Sequence, residues 1–122
     1  MSKTIFLLDD SQVMLSSLRQ ILELSGFKVE TAGNGQQGLD RIKTGFKPDL
    51  IITDINMPEM NGLDFIRQVR STLRFTPILV FSTENQTAKR DEARRLGATG
   101  WLTKPVAGTD LLKVIRQILP GT

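Results

Sequence analysis

Five short runs of strand character alternate with five amphipathic stretches along 122 residues, roughly one pair every 24 residues, and this rhythm leaves few architectures open. The runs are 4–8, 28–32, 49–53, 78–81 and 100–103. Between them, 11–25 carries Met14, Leu18, Ile21 and Leu22 at helical spacing and is closed by Gly26. The turn Gly33-Asn34-Gly35 precedes a short helix over 36–43 that uses Leu39 and Ile42. A third helix follows Gly62 with Leu63, Ile66 and Val69 inward, a polar one spans 87–96 and ends at Gly97, and the last spans 108–119 with Leu111, Leu112, Ile115 and Ile118 before Pro120. The unbroken Leu50-Ile51-Ile52 marks a strand covered on both faces. The pattern predicts an α/β domain: a parallel sheet with helices on both sides, too short to close as an eight-fold barrel. The length gives one domain over 1–122 with no room for a second, output domain.

The chain contains no histidine and no cysteine. Those two zeros exclude Ser/His/Asp and Cys/His catalysis, thiolate and imidazole zinc sites, disulfides and a phosphohistidine of its own. Reactive groups must be carboxylates, hydroxyls, amines or guanidinium groups. No apolar stretch approaches the length of a membrane span, and the N-terminus has no cleavage site, so the expected compartment is the cytoplasm with no membrane insertion. A net charge of +3 and a pI near 9.6 raise nucleic acid or an anionic surface as partners. Much of the positive charge falls between 67 and 95. In Lys89-Arg90-Asp91-Glu92-Ala93-Arg94-Arg95 the acid–base pair Asp91 and Arg95 is spaced i, i+4 and no aromatic interleaves. The run therefore reads as a solvated helix face or a protein-docking surface, not a nucleic-acid site.

In an open doubly wound sheet, sites form beyond the carboxyl ends of the strands. The polar residues there are Asp9-Asp10, Asp54, Ser82-Thr83 and Lys104. Each has a plain explanation alone; Asp10-Ser11, for instance, also reads as a helix cap. Together they place three carboxylates and one ammonium at one end of one sheet, a poor arrangement without a further partner because like charges at short range repel.

These residues, with Asp54-Ile55-Asn56-Met57-Pro58-Glu59-Met60-Asn61-Gly62, Phe81-Ser82-Thr83-Glu84 and Lys104-Pro105, resemble the receiver domain of two-component response regulators. The resemblance runs from about Lys3 to Leu119. Asn56 and Gly97-Ala98-Thr99-Gly100-Trp101-Leu102 are most similar to the single-domain, CheY-like chemotaxis regulators. It implies a flavodoxin-like five-stranded sheet of order 2-1-3-4-5 with five helices. It implies that Asp54 accepts a phosphoryl group from a phosphohistidine of a sensor kinase (CheA-like), with Asp10, Asp54 and the Asn56 carbonyl binding Mg²⁺ and Asp9 holding it through water. Lys104 would meet the phosphoryl group, before a cis Pro105, and Ser82 would donate its hydroxyl to it.

The same resemblance makes Ser82 and Trp101 the switch pair: as Ser82 turns toward the phosphoryl group, the aromatic on the fifth strand rotates into the vacated space. The chain departs from the family pattern in Trp101 for Tyr or Phe, Ser82 for Thr and Val106 for Phe. Thr83, where Ala or Gly is common, and Glu84 are candidates for controlling access to the acyl phosphate. The implied function is a phosphorylation-switched binding module, with a target such as a flagellar motor switch component; it acts on itself and is not an enzyme on other substrates. A phosphorelay intermediate or phosphate sink is the alternative. A Mg²⁺-dependent phosphatase ranks last, since Asn56 stands where a second acid would be needed.

Overall fold

The structure, a computed structural model, describes residues 2–122. Its elements are β1 (Thr4–Leu8), α1 (Gln12–Leu24), β2 (Lys28–Ala32), α2 (Gly35–Lys43), β3 (Leu50–Thr53), α3 (Gly62–Val69), β4 (Ile78–Ser82), α4 (Thr87–Leu96), β5 (Gly100–Thr103) and α5 (Gly108–Ile118). The strands form one parallel sheet in the order β2-β1-β3-β4-β5. This is the flavodoxin-like arrangement. The winding reverses between β1 and β3, so the crevice of the fold opens where those two strands end.

Strand residues alternate between two cores, as the period of two requires. Phe6, Leu8, Ile51, Ile78 and Val80 pack with α2, α3 and α4, while Ile5, Leu7, Leu50, Ile52, Leu79 and Phe81 pack with α1 and α5. β1, β3 and β4 are buried almost throughout; the edge strand β5 is half-buried along its whole length.

Helix starts differ in how they are held. Ser11, Asn34 and Asn61 each accept a hydrogen bond from a backbone N–H of the first turn of α1, α2 and α3, satisfying a donor that has no partner inside the helix. α4 and α5 start at Gln86 and Ala107 without such a bond. α4 also buries a single residue, Ala93.

Several inward positions differ from the expected ones. α1 buries Leu15, Leu18 and Leu22, whereas Met14 and Ile21 are half-buried and line a cleft of about 390 Å³ against α5. α3 buries Phe65, Ile66 and Val69 rather than Leu63, and in α5 Leu112 and Ile118 flank the buried Leu111 and Ile115. The expected Asp91–Arg95 pair is also replaced. Among the described residues, the ion pairs of α4 are Glu92 with Arg67 of α3 at 3.4 Å and Lys89 with Glu84 at 3.5 Å. Such exposed pairs contribute little.

At the opposite end of the sheet, Arg70 acts as a brace. Its guanidinium donates to the carbonyls of Leu73, Thr76 and Gly97 at 2.9, 2.6 and 2.7 Å, tying the end of α3 to the end of α4. Burial lowers its pKa from the ordinary arginine value.

Candidate functional site

Backbone hydrogen bonds continue past the strand ends and set the acids side by side. The Asp54 N–H donates to the Leu8 carbonyl at 2.9 Å, and the Asp9 N–H to the Ala32 carbonyl at 3.2 Å. Asp9, Asp10 and Asp54 thereby present carboxylate oxygens that all lie within 4.8 Å of one another. Asp9 is buried and accepts the Ser11 N–H at 3.0 Å; Asp54 is half-buried and accepts the Ile55 N–H at 2.6 Å; Asp10 is exposed.

Lys104 arrives from the end of β5. Its ammonium donates to Asp9 Oδ2 at 2.8 Å and to Asp54 Oδ2 at 3.5 Å, and it stands 5.3 Å from the centre of the Phe81 ring. The Lys104–Pro105 bond is cis. One ammonium against three carboxylates leaves excess negative charge, and each close like-charge pair opposes the arrangement by about 4 kcal/mol at an effective dielectric near 20. A cluster of hard oxygen donors open on one side, through Asp10, suits a hard divalent cation, so the residues fit the metal that the resemblance implies.

The loop carrying Asn56, which is exposed, is folded tightly under Asp54. Gly62 N–H donates to the Ile55 carbonyl at 2.8 Å, and a Cβ on Gly62 would run into the Asp54 carbonyl oxygen. Across the loop, Gly35 N–H donates to the Met60 carbonyl at 3.1 Å, and a Cβ there would meet that oxygen at 2.5 Å. Gly35, expected in a turn, and Gly62, expected just before a helix, are thus positioning residues. Their signal was present: both follow an asparagine, and in both cases the Asn caps the helix while the Gly is its first residue.

Ser82, fully buried at the end of β4, accepts the Glu84 N–H with its hydroxyl at 3.3 Å. Trp101, half-buried in β5, donates its indole N–H to the Glu84 carbonyl at 3.2 Å. The peptide groups on either side of Glu84 Cα therefore join the two residues of the implied switch, and the Glu84 carboxylate pairs with Lys89 at the start of α4. Thr83 is exposed and lines the same α1–α5 cleft as Lys104.

The response regulator receiver domain family matches residues 5–116. The chain belongs to this family. Receiver domains are phosphorylated on an aspartate in two-component signalling, with a histidine kinase as phosphodonor. Response regulator MprA of Mycobacterium bovis is 37% identical over 122 residues, all of this chain and 53% of that protein; the chain spans about half the length of the curated relatives it matches. Among solved structures, chemotaxis response regulator CheY4 of Vibrio cholerae has a TM-score of 0.90 at 37% identity, covering 97% of this chain and 99% of that one. A CheY-like receiver domain protein from Methanospirillum hungatei has a TM-score of 0.93 at 28% identity, covering 98% and 94%. Among the described residues, no helix is long and apolar enough to cross a membrane.

Proposed function

We propose that Asp54 is the phosphoryl acceptor of this receiver and that its phosphorylation changes the affinity of the α4–β5 surface for a protein target. The single observation that carries this reading is the placement of Asp54: its Oδ2 accepts the Lys104 ammonium at 3.5 Å, and Asp9 and Asp10 stand beside it. The Asp54 carboxylate attacks phosphorus, a P–O bond forms, and the P–N bond of the donor phosphohistidine breaks, its electron pair returning to an imidazole that takes up a proton. No base on this chain is needed. Asp9, Asp10, Asp54 and the Asn56 carbonyl would hold Mg²⁺, which when bound supplies positive charge to the cluster and to the phosphoryl oxygens.

Lys104 is in contact with Asp9 before any phosphoryl group arrives, and Ser82 is bonded, at the long distance of 3.3 Å, to Glu84. Two new charge-assisted bonds would supply about 3 to 6 kcal/mol in all, against about 5.5 needed to take a two-state protein from 1:99 to 99:1. Because Lys104 exchanges one charged partner for another, the net falls toward the lower end. Ser82 gains most: its hydroxyl accepts the Glu84 N–H, and a phosphoryl oxygen would give its own proton a charged acceptor; turning toward that oxygen would lengthen the already long bond to Glu84.

The 97% and 99% mutual coverage with a chemotaxis response regulator supports a cytoplasmic chemotaxis pathway, with a CheA-like donor and a flagellar motor switch component as target. The test is phosphate incorporation from a small phosphodonor with and without Mg²⁺, in wild type and Asp54→Asn, with Trp101 emission followed in parallel. Mg²⁺-dependent label confined to the wild type is expected. Label retained on Asp54→Asn, or none on the wild type, overturns the assignment; target affinity unchanged by phosphorylation overturns the switch.

A further inference from the structure

The fold gathers several cations of this chain at one end of the sheet. Each helix runs back from the carboxyl ends of the strands, so its last turn shares a rim with the starts of the strands. Those last turns carry Lys43 in α2 and Arg94 and Arg95 in α4. The loops that follow α2 and α3 add Lys47 and Arg74, both exposed, and they are neighbours because β3 and β4, which they lead into, are paired. On this side of the sheet the rim has one acid, Asp49, which is half-buried and accepts the Thr4 N–H at 2.7 Å; segments 41–48, 65–77 and 93–99 contain neither Asp nor Glu.

Cations at helix carboxyl ends offset the helix dipoles, which accounts for Lys43 and Arg94. It does not account for Phe75. That ring is 93% exposed, more than any other large apolar side chain described, and it follows Arg74 directly. Nor is it on a slack loop, since Arg70 grips the carbonyls of Leu73 and Thr76 on either side of the Arg74-Phe75 pair. A lone phenyl ring held out from a braced, convex loop among cations lacks the groove that a helical peptide needs. It suits a soft layer with negative charge at its surface and apolar material beneath.

We propose that this rim binds an anionic lipid surface peripherally, with Phe75 entering the headgroup layer and Lys43, Lys47, Arg74 and Arg94 meeting lipid phosphates. The contact is superficial, since no described helix is fit to cross a bilayer. It sets an orientation: Asp9, Asp10 and Asp54 lie at the far end of the sheet, so the acid cluster faces away from the lipid and stays open. This inference stands independently of the role given to Asp54.

Co-sedimentation of the full chain with phosphatidylcholine vesicles, with and without about one third phosphatidylglycerol, tests it. Binding is expected only to the anionic vesicles and falls as salt rises. Phe75→Ser is expected to weaken it about tenfold through lost apolar insertion. Lys47→Gln and Arg74→Gln should each weaken it about fivefold, the equivalent of one cation near the surface. All three sites are exposed, and circular dichroism with phosphate incorporation at wild-type level shows that each variant is folded. Equal binding to neutral vesicles, no binding to anionic ones, or indifference to Phe75→Ser overturns the proposal. So does equally tight, Phe75-dependent binding to soluble poly-glutamate or single-stranded RNA, which would assign the rim to a protein or nucleic-acid partner instead.

Discussion

Strands β1 and β3 with helices α1 to α3, and the α4–β5 unit, are built to different standards. β1 and β3 are buried almost completely, and α1, α2 and α3 each begin at a side-chain cap. α4 has no capping bond and one buried residue, while β5 lies half-buried at the sheet edge. The acids sit on the first region, and Trp101 and Lys89 on the second. Chemistry needs fixed distances, whereas a switch needs an element with two arrangements of similar energy. On the proposed reading the molecule separates these demands along its sheet, with Ser82 on the boundary.

The largest expected effect lies at the acid cluster: Asp54→Asn removes the nucleophile, so phosphate labelling falls below detection and the Mg²⁺-plus-phosphodonor change in Trp101 emission disappears with it. Emission that still responds in this variant would detach the second region from the first. Gly62→Ala comes next. The added methyl must displace the Asp54 carbonyl, so the variant should lose about 1 to 3 kcal/mol in urea unfolding and accept phosphate more slowly; an unchanged midpoint would show that the first region is softer than its packing indicates.

Exchanging caps sharpens the contrast at smaller scale. Asn34→Ala should destabilise the protein by about 1 kcal/mol, and Gln86→Asp, which gives α4 the cap it lacks, should stabilise it by a fraction of that. Hydrogen exchange should show the asymmetry directly, with α4 amides opening at lower free energy than those of α1, and Gln86→Asp narrowing the gap. Equal protection in the two helices would end the comparison. The smallest effect is expected from Thr83→Ala, which changes exposed bulk beside Lys104: a several-fold faster loss of phosphate, read as an autodephosphorylation rate.

What was legible in the sequence follows the same division. The strands stood out because burial on both faces leaves continuous apolar runs such as Leu50-Ile51-Ile52. Polar residues just after them were legible because a parallel sheet gathers its strand ends. Less visible was anything decided by contact between elements. Phe65 rather than Leu63 faces the sheet, and Glu92 finds Arg67 on the next helix instead of Asp91 finding Arg95 on its own; neither choice leaves a trace in local spacing. Glu84 was singled out for its side chain, although its backbone N–H and carbonyl make the contacts to Ser82 and Trp101. Backbone groups are the same at every position, so residue identity carries no sign of them.

That backbone link has one more consequence. Each peptide group is planar and stiff, and the two flanking Glu84 share a single Cα, so the hydroxyl of Ser82 and the indole of Trp101 are separated by one hinge. With so short a linkage, the two ends are coupled like gear teeth rather than like beads on a thread. The proposed signal would then be stored as one bit: an indole displaced while the hydroxyl stays put should not accumulate, and emission and phosphate occupancy should trace a single transition.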